Sequence, residues 1–233
     1  MQYINSHIEL CLEGSSSLFK GLNQKDKEAI VQHHTIAKIK KGGYLFKEGE
    51  RTRGLVFLAE GKAKILKVGV GGREHIIKMV KKEEVIGYPT LFAESTWSAS
   101  SVAIEDSVIC ILEKQCLLRV IKNNGDISVK LNKVLSEELL YSYNRIVSLA
   151  HKHVRGRLVE SLLMLGEIYG YEADGKTITA SLSRDDIAHF SNMTTSNAIR
   201  TLSSLASEGI IGIKGRKITI LDIATLEKIS EQA

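Results

Sequence analysis

The chain has 233 residues, 43% of them hydrophobic and 25% charged, with a net charge of +5. That length admits two domains with cores of their own, and the composition excludes a disordered or fibrous chain. No apolar run reaches the length of a membrane-crossing helix, and the N-terminal stretch carries Glu9 and Glu13 with no basic start, which argues against a secretion signal.

The basic excess is unevenly spread. Residues 152–233 hold ten Lys+Arg against ten Asp+Glu, while the first 151 hold twenty-two against seventeen. Global basicity therefore says little about nucleic acid, and any such reading must rest on local placement. Cys11, Cys110 and Cys116 are odd in number and scattered, so they form no disulfide framework and lack the paired spacing of a zinc or iron–sulfur site. A reducing, cytoplasmic setting is the expectation. Cys110, inside the alternating run Ser107–Leu112, reads as a buried structural thiol.

In chain order, Asn23–Val31 reads as a helix opened by an Asn cap. From about Tyr44 to Leu112 the texture is β. Leu55–Leu58, Ala63–Val68, His75–Val80 and Val108–Leu112 are strand-like, and glycines punctuate them as turns. Many short strands at regular spacing favour a sandwich or barrel over a parallel sheet. From about Asp126 to Lys152 the texture turns helical, without Gly or Pro. Leu135, Leu139, Ser142, Ile146 and Leu149 follow the 4-3-4-3 spacing of a two-helix seam. A helix packed on its own domain has a similar pattern, so both readings stand. After Arg155–Arg157 a second amphipathic helix runs to about Tyr169, and Glu172–Lys176 is a turn-rich break.

The most informative stretch is Ser183–Leu202. Ser183 and Asp186 form a relaxed capping box, Ala188 is small where two helices must cross, and Asn192 tolerates the left-handed backbone of a tight turn. Thr194 caps a second helix whose Ala198, Leu202 and Leu205 form a buried stripe, which is helix-turn-helix spacing. A short hairpin follows, pairing Ile211 and Ile213 with Ile218 and Ile220 around a Lys214–Lys217 tip. The tip, with Lys214, Arg216 and Lys217, reads either as a phosphate-contacting wing or as a solvated turn. In such a motif the second helix enters the major groove, which puts Thr194, Thr195, Ser196, Asn197 and Arg200 at the DNA. Arg200 is its candidate guanine reader.

At these residues the chain resembles the Crp/Fnr family of bacterial transcription regulators over nearly its whole length. Leu18–Leu22, Lys41–Glu50, Leu55–Gly61, Gly72–Ile77 and Val85–Gly87 are similar to the family's sensory domain. Ile146–Ala150 and Val154–Leu158 are similar to its junction with the DNA domain. The resemblance implies an α+β architecture: a cyclic-nucleotide-binding-like β-roll (jelly roll) over 1–115, a dimerisation helix region over 116–151, and a winged helix-turn-helix domain over 152–233. It also implies a homodimer acting on double-stranded promoter DNA, with RNA polymerase as a candidate further partner, no membrane partner and no enzymatic activity. No catalytic or metal-binding set is assigned.

The departures from the family bear on the effector. In cyclic-AMP-binding members a Gly-Glu pair and a following Arg-Ser/Thr-Ala hold the cyclic phosphate. Here the stretch Gly87–Ala99 places Tyr88 at the glutamate and Trp97 at the arginine. A buried phosphate without a cation is costly, so cyclic AMP in the usual pose is not expected. Gly87, Tyr88, Leu91, Phe92, Trp97, Ser98 and, from the long helix, Ser142 are the candidate effector lining, and a self-filled core is the competing reading. Haem is a second possibility for the cofactor, since some relatives sense gases through it. His75 is then the candidate ligand against a purely structural role. A ligand-binding module that regulates a partner protein is the alternative from another class.

Overall fold

The structure, a computed structural model, describes residues 6–14, 17–93 and 96–232. Contacts divide the chain into two units, Met1–Lys67 with Val80–Tyr141 and Val68–Met79 with Ser142–Ala233. In chain order the first part contains α1 (Ser6–Glu13), α2 (Gln24–Gln32), β1 (His34–Ile39), β2 (Tyr44–Phe46), β3 (Gly54–Glu60), β4 (Ala63–Val68), β5 (Glu74–Val80), β6 (Glu84–Ile86), α3 (Tyr88–Ala93), β7 (Ser100–Ala103), β8 (Ser107–Glu113) and α4 (Lys114–Asn123). The long α5 (Gly125–His151) follows, then α6 (Val154–Tyr169), α7 (Arg184–Phe190), α8 (Thr195–Ser207), β9 (Ile211–Lys214), β10 (Lys217–Ile220) and α9 (Ile223–Glu231). This is the expected α+β architecture of β-roll, long helix and winged helix-turn-helix. The borders expected at 115 and 151 fall near the start of α4 and at the end of α5.

Two antiparallel sheets, ordered β1-β8-β3-β6 and β2-β7-β4-β5, make the roll. β3 explains why its sequence is a continuous apolar run rather than an alternating one. Successive side chains of a strand point to opposite faces. Leu55, Phe57 and Ala59 enter a core shared with α1, α3 and α4, whereas Val56 and Leu58 enter a second core with Phe46, Ile86 and Trp97. Cys110 of β8 and Cys11 of α1 belong to the first of these cores, and burial pushes the Cys110 thiol up to about 11. Both cysteines are free and buried, which suits inert packing groups.

Among the elements that the sequence reading passes over, three have a plain physical reason. β1 is an edge strand with no fully buried residue, so Thr35 and Lys38 dilute its pattern. α1 is two turns long and held by Ile8, Cys11 and Leu12 rather than by propensity. α3 carries Pro89 in its first turn, where a missing N–H costs little, and its aromatic composition suggests a pocket lining more than a helix. The helical stretch expected from about Asp126 to Lys152 is the single helix α5, and α4 precedes it as a separate element. Asn124 ends α4 in extended conformation, and its Oδ1 accepts from the Ile127 amide at 3.1 Å to open α5.

The helix-turn-helix forms as the residues dictate. Ser183 accepts from the Asp186 amide and the Asp186 carboxylate accepts from the Ser183 amide, a complete capping box. Asn192 sits at φ +50°, and the Met193 amide reaches the Ala188 carbonyl at 3.0 Å across the turn. Thr194 caps α8 by accepting from the Asn197 amide at 3.3 Å, and Ala198, Leu202 and Leu205 are buried. The hairpin pairs Ile211 with Ile220 and Ile213 with Ile218, as expected. Because only small or Asx residues occupy the left-handed region cheaply, Asn192→Val should destabilise the protein by about 1–2 kcal/mol while Asn192→Gly stays near neutral. Thermal denaturation of the two variants checks this; equal melting temperatures would contradict it.

Candidate nucleic-acid interface

The outer face of α8 is built from the sequence outward. With Ala198, Leu202 and Leu205 turned into the core, Ser196, Ile199, Arg200 and Ser203 are left exposed. Arg200 donates to the Asn197 Oδ1 at 2.7 Å, which orders the guanidinium along the helix and leaves further donors for a ligand. Thr194 is exposed but uses its hydroxyl oxygen as the cap. Thr195 is half-buried, and its hydroxyl donates to Asp185 at 2.6 Å. The structure thus gathers the five residues expected at DNA onto one helix end. Ser196 and Arg200 stand outermost, and Ile199 is added to them.

The hairpin beside this face is braced from within the same unit. Arg184, at the start of α7, donates to the Gly215 carbonyl at the tip over 2.9 Å. Thr177 meets Thr219 of β10 at 2.8 Å. Asp174 collects the hydroxyl of Thr177 and the amides of Thr177 and Lys176, and those hydrogen bonds hold its carboxyl down to about 2. Lys214, Arg216 and Lys217 are all exposed at the tip, with Lys217 paired to Glu172 at 2.7 Å. At the far end of α8, Arg155 grips Glu208 with two bonds of 2.7 and 2.6 Å, and this fork holds the Glu208 carboxyl down to about 2.

The C-terminal half of α5 is tied to α6 and α7 by Arg145, which is 8% exposed. Its guanidinium donates to the Phe190 carbonyl at 2.7 Å, pairs with Glu160 of α6 at 3.3 Å and lies 5.0 Å from the Phe190 ring. Ser148 donates to the same carboxylate, and Lys152 pairs with it at 3.0 Å. Sequence reasoning missed Arg145, because an arginine in a charged helical stretch carries no signal of burial. His75 sits in this unit too. Its Nδ1 faces the His189 carbonyl at 3.1 Å, so that nitrogen must carry the proton and donate. Burial, followed by the charge of Arg145, lowers the His75 pKa.

Along α5, Leu139, Ser142 and Ile146 of the expected seam are exposed, and Leu135 and Leu149 are half-buried. Leu135 packs on the helix-side core of the roll. The exposed apolar face takes in Leu140, Tyr143 and Val147 as well, three residues the seam pattern omitted. Leu140, Tyr143 and Val147 are spaced by three and four residues from one another, and that spacing is the signal that could have found them.

The candidate effector residues divide among different surroundings. Tyr88 and Leu91 are buried in the core beneath the helices, and burial drives the Tyr88 hydroxyl well above the ordinary tyrosine range. Trp97, 6% exposed, belongs to the other core and stacks on Phe46 with ring centres 3.9 Å apart. Gly87 is held at φ +101°, and a Cβ there would stand 2.7 Å from the Trp97 ring. Phe92 and Ser98 are exposed, and Ser142 is an exposed residue of α5 in the other unit. Beside this stretch Lys67 is engaged by the Ser98 carbonyl at 3.0 Å and by Glu48 at 3.5 Å. Glu94 and Ser95 lie outside the described residues. Indole carbon therefore occupies the space against Gly87, an arrangement that does not fit an anionic cyclic phosphate.

The cyclic nucleotide-binding domain family matches residues 36–124, and the Crp-like helix-turn-helix domain family matches residues 156–229. The chain is 28% identical over 188 residues to the anaerobic regulatory protein of Bacillus subtilis, spanning 80% of this chain and 79% of that protein. It is 23% identical over 214 residues to the CRP-like cAMP-activated global transcriptional regulator of Mycobacterium tuberculosis, spanning 91% and 96%. Among solved structures, FixK2 from Bradyrhizobium japonicum superposes with a TM-score of 0.76 at 21% identity, covering 84% of this chain and 96% of that one. Among the described residues no helix is long and apolar enough to cross a membrane.

Because Trp97 is packed as core, Trp97→Ala should lower stability by about 3–5 kcal/mol through the cavity it leaves. Urea denaturation followed by circular dichroism measures this. A loss under about 1 kcal/mol would instead mark Trp97 as a lining residue of a site that closes without it.

Proposed function

The chain belongs to the Crp/Fnr family of DNA-binding transcription regulators, and from that premise we propose that it acts as a homodimer on a roughly two-fold operator. The observation that carries the proposal is the joint exposure of Ser196, Arg200 and the Lys214–Lys217 tip on braced elements of one unit. In this reading α8 enters the major groove. Arg200, oriented by Asn197, takes the paired acceptors of a guanine, and Ser196 supplies a less discriminating hydroxyl. Thr194 and Thr195 are spent on capping and on Asp185, so they shape the helix end more than they read bases. Lys214 and Arg216 meet phosphate, and Lys217 does so by exchanging Glu172 for it.

The partner for the apolar face of α5 is a second copy of this chain. Ile146 is 64% exposed there and Tyr143 54%. An isolated helix face of this kind is covered in the working protein, and the 4-3 spacing suits a parallel copy of itself. Two copies of α8 on one seam give a two-fold reading head. For the sensory roll, the Trp97–Phe46 stack supports a self-filled core rather than a cyclic AMP site. The haem alternative rests on His75, whose Nδ1 is engaged by a backbone carbonyl.

Arg200→Ala tests the assignment of the reading residue. The variant should lose about 1–3 kcal/mol of preference for its operator over one substituted at the guanine, a bidentate contact's worth. Binding of the parent protein should fall roughly 10³-fold or more between about 50 and 200 mM salt if six or more phosphates are engaged. Competition titrations on selected genomic fragments read both quantities. Full retention of preference in Arg200→Ala would contradict the assignment.

A further inference from the structure

Ile199 is unexplained by anything above. It is 47% exposed on α8, and among the large apolar residues of that helix it alone is turned outward. A lone exposed isoleucine on an arbitrary surface means little. This one stands between Ser196 and Ser203 and next to Arg200, on the face that the buried Ala198–Leu202–Leu205 stripe directs away from the core. Helical side chains lean toward the N-terminus of their helix, so the isoleucine covers the turn that begins at Ser196. It therefore projects into the same space as the hydroxyl of Ser196.

We propose that Ile199 is a specificity-determining residue that reads the C5-methyl group of a thymine beside the guanine taken by Arg200. The inference rests on the reading of α8 as the groove-entering helix. Major-groove edges offer one apolar feature, the thymine methyl, and a side chain without donors or acceptors can discriminate there only by meeting it. Ile is stiff at χ1 because it is branched at Cβ, so little side-chain freedom is lost on contact. A polar base edge against Ile199 would instead lose its water without a partner, which penalises cytosine at that position. A protein partner for this face is disfavoured by its make-up. One isoleucine among two serines and an arginine lacks the contiguous apolar area that a stable protein interface buries.

The experiment uses the full-length protein and an operator selected from genomic DNA with it. Each thymine of the operator is replaced in turn by deoxyuridine, which keeps the base pair and removes only the methyl. One position in each half-site, within a base pair or two of the guanine, should then lose affinity about fourfold, or about fifteenfold when both half-sites are changed, the value of one buried methyl group apiece. The same substitutions should leave Ile199→Ala unaffected. Its exposed site should also leave its circular dichroism and its salt dependence as in the parent protein. Specific binding that is indifferent to every methyl would overturn the inference, as would a methyl effect that persists unchanged in Ile199→Ala. Absence of sequence-specific binding by the parent protein would overturn the reading of α8 itself, a distinct result.

Discussion

The C-terminal unit is organised by one side chain that cannot be left alone. Arg145 is almost fully withdrawn from water, and a buried guanidinium without partners is untenable. Its partners are a carboxylate on α6 and the carbonyl that ends α7, so the three helices must meet where Arg145 lies. The arrangement of the C-terminal helices is built on that meeting. The turn at Asn192 then sets α8 against α7, and Arg184 and Thr177 set the hairpin beside them. The position of Arg200 is thus determined by polar contacts several residues away from any surface that would touch DNA. Such a network confers a defined geometry more than it confers stability, since burying its charges offsets much of their attraction.

What the sequence made legible depends on whether the responsible physics is local. Caps, turns and period-3.6 stripes are local, and Ser183, Asn192, Thr194 and the Ala198–Leu205 stripe occupy the roles their types suggest. The hairpin register is equally legible, because two alternating runs joined by a short polar tip pair Ile211 with Ile220 and Ile213 with Ile218, which leaves Ile211, Ile218 and Ile220 buried. Long-range roles were not. Arg145 looks like any surface arginine until α7 closes over it, and Ile199 looks like a core residue until the face it shares is known. β1 is faint in the sequence because an edge strand needs no strong pattern, and α3 because it is six residues long and splits its aromatic residues between the core, with Tyr88, and the surface, with Phe92.

The same distinction governs the sensory roll. By the family resemblance, Tyr88 and Trp97 stand where cyclic-AMP-binding members carry a carboxylate and a guanidinium. Where those side chains go is a matter of packing: Tyr88 enters one core and Trp97 the other, and the indole fills the space against Gly87. Charge distribution also changes meaning in three dimensions. The C-terminal residues carry no net charge, yet Glu160, Glu208 and Asp174 are engaged by Arg145, Lys152, Arg155 and Thr177, while Lys214 and Arg216 stand exposed at the hairpin tip. Local placement, not net charge, gives the hairpin tip its cluster of exposed basic side chains.

The central claim is that two copies of α8, presented on one α5 seam, read DNA as a pair. Hydroxyl-radical footprinting of the purified protein on a fragment selected from genomic DNA addresses it directly. The account predicts two equal protected half-sites, centred about 10 base pairs or a multiple of one helical turn apart, that fill together as protein is added. Protection of a single half-site at saturation, or protection that does not depend on sequence, would contradict it.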